Sequence, residues 1–157
     1  PAKCVICVAP HTSNWDFILG ILVKFALNIK ANFFMKKEWF FFPMGYLMRA
    51  LGGVAVQRDK KMRMTDAMAA EFEKHESLCV AITPEGTRSY NPDWKKGFYF
   101  IAEKAGVPIV FASLDFKKKE IKLGEQFIPT GDVDADMTQI KAYYKDVNAK
   151  FPEKFGI

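Results

Sequence analysis

Cysteine and histidine are both scarce in this 157-residue chain, which holds three of the first and two of the second. Three thiols cannot close into a complete disulfide set, so a reducing compartment is expected. Two histidines, with His75 beside Lys74 at a helix end, offer no metal-ligand cluster. Cys4-x-x-Cys7 lacks the second pair that a four-ligand zinc site needs. It also lies in the strand-like run Lys3–Ala9, where residues three apart face opposite sides and serve as core thiols. A Gly-x-Ser-x-Gly elbow, a Walker loop and a Gly-x-Gly-x-x-Gly turn are all missing, which argues against serine-nucleophile, P-loop and dinucleotide chemistry. No long hydrophobic run appears either: Phe17 to Val23 is cut by Lys24, far short of the ~20 residues that span a bilayer. Signal peptide, repeats, linkers and low-complexity stretches are absent from the sequence.

What is present is apolar. Half the residues are hydrophobic, enough for one core, and residues 1–157 are expected to form a single domain. Charge is uneven. Residues 1–64 carry ten Lys/Arg against three Asp/Glu, a balance of +7 within a chain of net +5. A basic half suits an anionic partner such as phosphate groups, nucleic acid or an acidic membrane surface, or simply gives solvated faces. No nucleic-acid recognition motif accompanies it, so nucleic acid is not an expected partner.

Strand and helix signals alternate along the chain. Cys4–Pro10, Ala31–Met35, Val54–Val56, Leu78–Thr83 and Pro108–Phe116 read as strands, with Glu120–Leu123 and Gln126–Ile128 as edge strands. Helices are expected from Ser13 or Asn14 to about Asn28, and over Gly45–Leu51, Met64–Glu76, Trp94–Ala105 and Asp134–Phe151. The pattern predicts an α/β fold, a layered sandwich whose central mixed, largely parallel sheet is flanked by helices. The first helix is apolar on nearly every side, so it should be mostly buried or lie against something apolar. The aromatic stretch Trp39–Met44 is either core or a segment that dips into a bilayer interface beside Lys30, Lys36 and Lys37.

Three constellations could carry chemistry. His11 falls in the turn after the first strand, where open α/β sheets place ligands, and Asp16 falls in the first turn of the following helix. That spacing lets a carboxylate hold an imidazole in one tautomer. Ser13-x-x-Asp16 is equally a capping-box pattern at a helix start. Thr83–Ser89 follows another strand: Gly86 permits close backbone approach, and Arg88 can grip a phosphate. Arg58 and Lys36 end further strands, and a parallel sheet would bring these cations beside His11.

Taken in order, these blocks resemble the glycerolipid acyltransferases, whose best-known members are 1-acylglycerol-3-phosphate acyltransferases. His11 and Asp16 match the family's His-x-x-x-x-Asp. Lys36-Lys37-Glu38, Pro43, Gly45, Gly52 and Arg58 match its second block. Pro84-Glu85-Gly86-Thr87-Arg88-Ser89 matches the third residue for residue, and Val107–Val110 the fourth. The resemblance implies transfer of a fatty acyl group from acyl-CoA or acyl carrier protein to a lysophospholipid hydroxyl, with His11 and Asp16 catalytic and no cofactor. It gives Lys36, Arg58, Glu85, Gly86, Thr87 and Arg88 to the acceptor. It also implies peripheral contact with an anionic membrane surface on its cytoplasmic side, with the family's N-terminal hydrophobic helices lying outside these residues. A phospholipid-binding module without catalysis and a thioester hydrolase are the alternatives.

Overall fold

The computed structural model describes residues 1–26, 28–56 and 63–157. In chain order these give β1 (Lys3–Ala9), α1 (Asn14–Ala26), β2 (Ala31–Lys36), α2 (Met44–Ala50), β3 (Gly53–Val56) and α3 (Met64–Lys74). There follow β4 (Leu78–Ile82), α4 (Gly97–Ala105), β5 (Ile109–Asp115), β6 (Glu120–Phe127) and α5 (Val133–Tyr144). The six strands form one sheet in the order β3-β2-β4-β1-β5-β6. Every pairing is parallel except β5 with β6. The sheet is therefore mixed and largely parallel, as the alternating pattern predicts.

The two faces of the sheet differ. Val5, Cys7 and Ala9 of β1, with Val80, Ile109 and Phe111, pack against Phe72 of α3, Phe98 and Ile101 of α4, and Met137, Ile140 and Tyr144 of α5. The opposite face carries smaller groups: Cys4, Ile6, Val110 and Ala112, joined by Val8, Ala31, Cys79 and Ala81. Cys4 and Cys7 thus point to opposite sides, and all three cysteines are free thiols.

Several boundaries differ from expectation for identifiable reasons. The two edge segments are one strand, β6, with an irregular register opposite Val110–Ala112. α4 begins at Gly97, not Trp94, because the Trp94 ring is buried and its Nε1–H donates to the Gly156 carbonyl at 2.7 Å. α5 stops at Tyr144 instead of running to Phe151. The Tyr144 hydroxyl donates to the Cys7 carbonyl at 2.6 Å, and beyond it the Asn148 carbonyl accepts from the Phe116 N–H at 2.9 Å. Asn148 also donates from Nδ2 to Asp115 Oδ2 at 2.9 Å, and these sheet-edge bonds replace a further helical turn. Gly106 ends α4 in the left-handed region, at φ 63°.

The first helix is the largest departure. Its only buried residue is Asp16, whereas Trp15, Phe17, Leu22 and Phe25 are each more than half exposed, from 52% to 59%. The expectation of burial fails, and an apolar surface faces outward. Phe41 and Phe42 project outward too, at 56% and 82%, so the core reading of that aromatic stretch does not hold for them.

Candidate active site

The carboxyl ends of the parallel strands share one edge, and the turns after β1 and β4 meet there. His11 follows β1, and Asp16 lies in the first turn of α1. His11 Nδ1 is 3.3 Å from Asp16 Oδ2, with the imidazole 21% exposed and the carboxylate 2%. The same Oδ2 accepts from the Thr12 and Ser13 N–H groups, each at 2.8 Å, while Ser13 Oγ accepts from the Trp15 N–H at 3.1 Å. The helix cap and the imidazole–carboxylate pair are therefore one construction, not rivals: the bonds that start α1 also fix the carboxylate toward the ring. Burial alone would raise the Asp16 pKa, but the His11 side chain and the two backbone donors outweigh it and hold this carboxyl below its ordinary value. With Nδ1–H engaged by Asp16, Nε2 is left as the proton acceptor.

Glu85 departs from its expected place against an acceptor. It is 1% exposed, and its carboxylate accepts from the His11 backbone N–H at 3.0 and 3.2 Å. Burial pushes its pKa up to about 7, against the opposing pull of the His11 N–H. The residue acts on the site through the His11 main chain. Asn91 Nδ2 donates to the Glu85 carbonyl at 2.8 Å, which braces this turn from outside.

The rest of the turn is open. Gly86 has φ 65°, a left-handed backbone that favours glycine, while the Lys95 side-chain end 2.8 Å from a would-be Cβ could swing aside. Thr87 Oγ1 accepts from the Ser89 N–H at 3.2 Å. Arg88 is exposed and donates from Nη1 to Asn14 Oδ1, which ties the β4 turn to the start of α1. Asn14 had no signal in the sequence beyond helix capping. Lys36 ends β2 at the same edge, and its side chain lies outside the described residues, as does all of Arg58.

Behind the pair lies a cavity of about 540 Å³ between α1 and the small-residue face of the sheet. Ile6, Val8, Ala112, Leu114, Phe17 and Ile21 give it an apolar wall; His11, Asn14 and Asp16 stand at one end. Lys24 and Asn32 line it as well. The Lys24 ammonium donates to the Leu51 carbonyl at 2.6 Å, and burial lowers its pKa. Among the described residues no group of three or more His, Cys, Asp or Glu could hold a metal ion.

An imidazole, a buried carboxylate beside it, an exposed guanidinium and an apolar cavity thus share one edge of the sheet. A family model described as Acyltransferase matches residues 1–114. The chain belongs to the Acyltransferase family. Among curated Acyltransferase relatives it is 31% identical over 139 residues to a chloroplastic 1-acyl-sn-glycerol-3-phosphate acyltransferase of Brassica napus, covering 85% of this chain and 40% of that protein. It is 38% identical over 115 residues to 1-acyl-sn-glycerol-3-phosphate acyltransferase beta of Homo sapiens, covering 68% and 39%. This chain thus spans about 40% of the length of these Acyltransferase relatives. The fold is similar to the crystal structure of the 1-acyl-sn-glycerophosphate acyltransferase PlsC from Thermotoga maritima, with a TM-score of 0.61 at 22% identity over 95% of this chain and 68% of that one.

Proposed function

We propose that this chain transfers a fatty acyl group from a thioester donor, acyl-CoA or acyl carrier protein, to a hydroxyl of a lysophospholipid such as 1-acylglycerol-3-phosphate. The observation that supports the reading is that His11 lines an apolar cavity while its Nδ1 faces a buried carboxylate, which leaves Nε2 for a substrate. His11 takes the proton of the acceptor hydroxyl as its oxygen attacks the thioester carbonyl carbon; the carbon–sulfur bond breaks and the thiolate departs. A thioester is already activated, so neither an acyl-enzyme nor a cofactor is called for. Asp16 orients the ring and stabilises the imidazolium.

The acyl chain would occupy the cavity beneath α1. From Asn14 to Lys24 this helix advances ~15 Å. An extended chain advances ~1.2 Å per bond, so about a dozen bonds fit before Lys24. Arg88, with Lys36 and Arg58 from the neighbouring strand ends, would neutralise the acceptor phosphate, and Gly86 and Thr87 would form the wall beside it. Glu85 would serve from below, by holding His11.

Thiol release measured with both donors against a panel of lysolipids tests this directly. Release should depend on an acceptor bearing a free hydroxyl. Release equally fast with no acceptor would identify a hydrolase, and no release from any donor would leave a binding module.

Peripheral membrane contact on the cytoplasmic side belongs to the same proposal. No helix among the described residues is long and apolar enough to cross a membrane. The exposed Leu22 and Phe25 of α1, and the exposed Phe42 ahead of α2, are apolar groups that a membrane surface could bury. Burying one such side chain is worth ~1.5–3 kcal/mol. A Leu22→Ser/Phe42→Ser variant should therefore lose most of its flotation with anionic vesicles. Flotation equal to wild type would count against the contact.

A further inference from the structure

β1 has β4 on one flank and β5 on the other, and the described site residues other than His11 and Asp16 belong to the β4 flank. The β5 flank carries a second construction. Phe116, directly after β5, donates its N–H to the Asn148 carbonyl at 2.9 Å, and Asp115 Oδ2 accepts from Asn148 Nδ2 at 2.9 Å. The Phe151 N–H donates to Thr12 Oγ1 at 3.3 Å. Residues 148–151 are thus fastened both to the end of β5 and to the residue that follows His11.

This segment presents Lys150. Its ammonium lies 4.9 Å from the ring centre of Trp15, 5.8 Å from that of Phe151 and 6.0 Å from that of Phe116. Among the described residues no carboxylate lies within ion-pair distance of it. Aromatic faces hold a cation in place electrostatically without consuming its N–H donors, so this ammonium is positioned yet available to an anion. Trp15 is 54% exposed, so the cation stands on the outer side of the first turn of α1, in a segment whose Phe151 is hydrogen-bonded to the residue after His11.

Two-substrate transfer needs two anion sites if both substrates carry phosphate. The acceptor's phosphate has Arg88 on the β4 flank, so the arm that leaves with the sulfur has the other flank. We propose that Lys150, seated among Trp15, Phe116 and Phe151, binds a phosphate of the phosphopantetheine arm of the thioester donor. This rests on the acyl-transfer reading above and adds the donor's docking point. The aromatic rings would also shelve the arm's apolar portion. Lys150 lies beyond residues 1–114, the part matched by the family model.

Steady-state kinetics of Lys150→Glu tests the assignment. A charge-assisted bond to phosphate is worth about tenfold or more in binding. KM for acyl-CoA should rise by about that factor or more while KM for the lysolipid changes less than about twofold. With an S-acyl N-acetylcysteamine donor, which has no phosphate, the difference between wild type and variant should disappear. An equal loss with both donors would mean a structural role and overturn the proposal. A rise confined to the lysolipid KM would assign Lys150 to the acceptor. Weaker flotation on anionic vesicles with donor KM unchanged would assign it to membrane phosphate. Should wild type release no thiol from any donor, the acyl-transfer reading fails separately. Calorimetric titration of CoA would then still decide, and equal affinity of wild type and Lys150→Glu would overturn the site.

Discussion

Replacing His11 by alanine should lower acceptor-dependent thiol release by ~10²–10⁴-fold, the usual worth of a positioned general base. The thermal midpoint should barely change, because the imidazole is partly exposed and the bonds that shape its turn come from main-chain groups. Asp16→Asn should approach the same catalytic loss by a different route. The oxygen that faces Nδ1 is the one that accepts from Thr12 and Ser13, so the carboxamide has two choices. It either keeps both bonds and offers the imidazolium a neutral partner, or turns its NH2 toward Nδ1, gives up both bonds and favours the tautomer with Nε2 protonated, which cannot act as base. The two losses should not add in the double variant, since the residues act as a unit. Wild-type release from His11→Ala would remove the mechanism. Full loss with a collapsed thermal midpoint would show only that the turn had come apart, and in that case His11→Gln, which keeps a polar side chain at the position, separates chemistry from folding.

Glu85 should make stability fall as the pH rises across a range where most carboxyl groups are silent. Burial raises its pKa from 4.5 to about 7 in the folded chain. Between those values the folded protein holds a proton that the unfolded chain has lost. The Glu85 contribution to stability is therefore fully present below about pH 4.5, declines between there and pH 7, and is gone once Glu85 ionises in the fold, a loss of roughly 3 kcal/mol in all. Asp16, Asp115 and Asp136 are shifted downward, Asp115 to about 2, so their opposite slope lies at lower pH. Glu85→Gln has nothing to titrate and its carboxamide oxygen can still accept from the His11 N–H. Urea unfolding across this range should show a steeper decline for wild type than for the variant. Parallel curves would mean that Glu85 ionises as freely in the fold as outside it.

Legibility in the sequence followed distance along the chain. His11 and Asp16 could be paired from their spacing because the relevant bonds lie within one turn and the helix start it caps. The strand order, the role of Asn14 and the engagement of Glu85 could not. Glu85 meets His11 across 74 residues, and only because β4 is the neighbour of β1. The family resemblance gave Glu85 to the acceptor, whereas its side chain is buried against the His11 main chain. For α1, apolar residues on all sides left burial or an apolar partner both open; burial fails because the sheet beneath offers small groups and leaves a void where side chains would have packed. Lys150 carried no signal, since its aromatic neighbours come from three separate segments. Arg58 and the Lys36 side chain fall outside the described residues, so their part in the site rests on sequence alone.

Within β1, successive residues serve different masters. Val5, Cys7 and Ala9 are locked among three helices, whereas Ile6 and Val8 line the cavity. The alternation of a strand thereby separates durability from selectivity at a spacing of one residue. If the proposed acyl chain occupies this cavity, exchanges at Ile6 or Val8 can recut the space offered to it while the interlocked side of the same ribbon keeps the protein folded. A sheet built this way can change what its cavity admits without first being rebuilt.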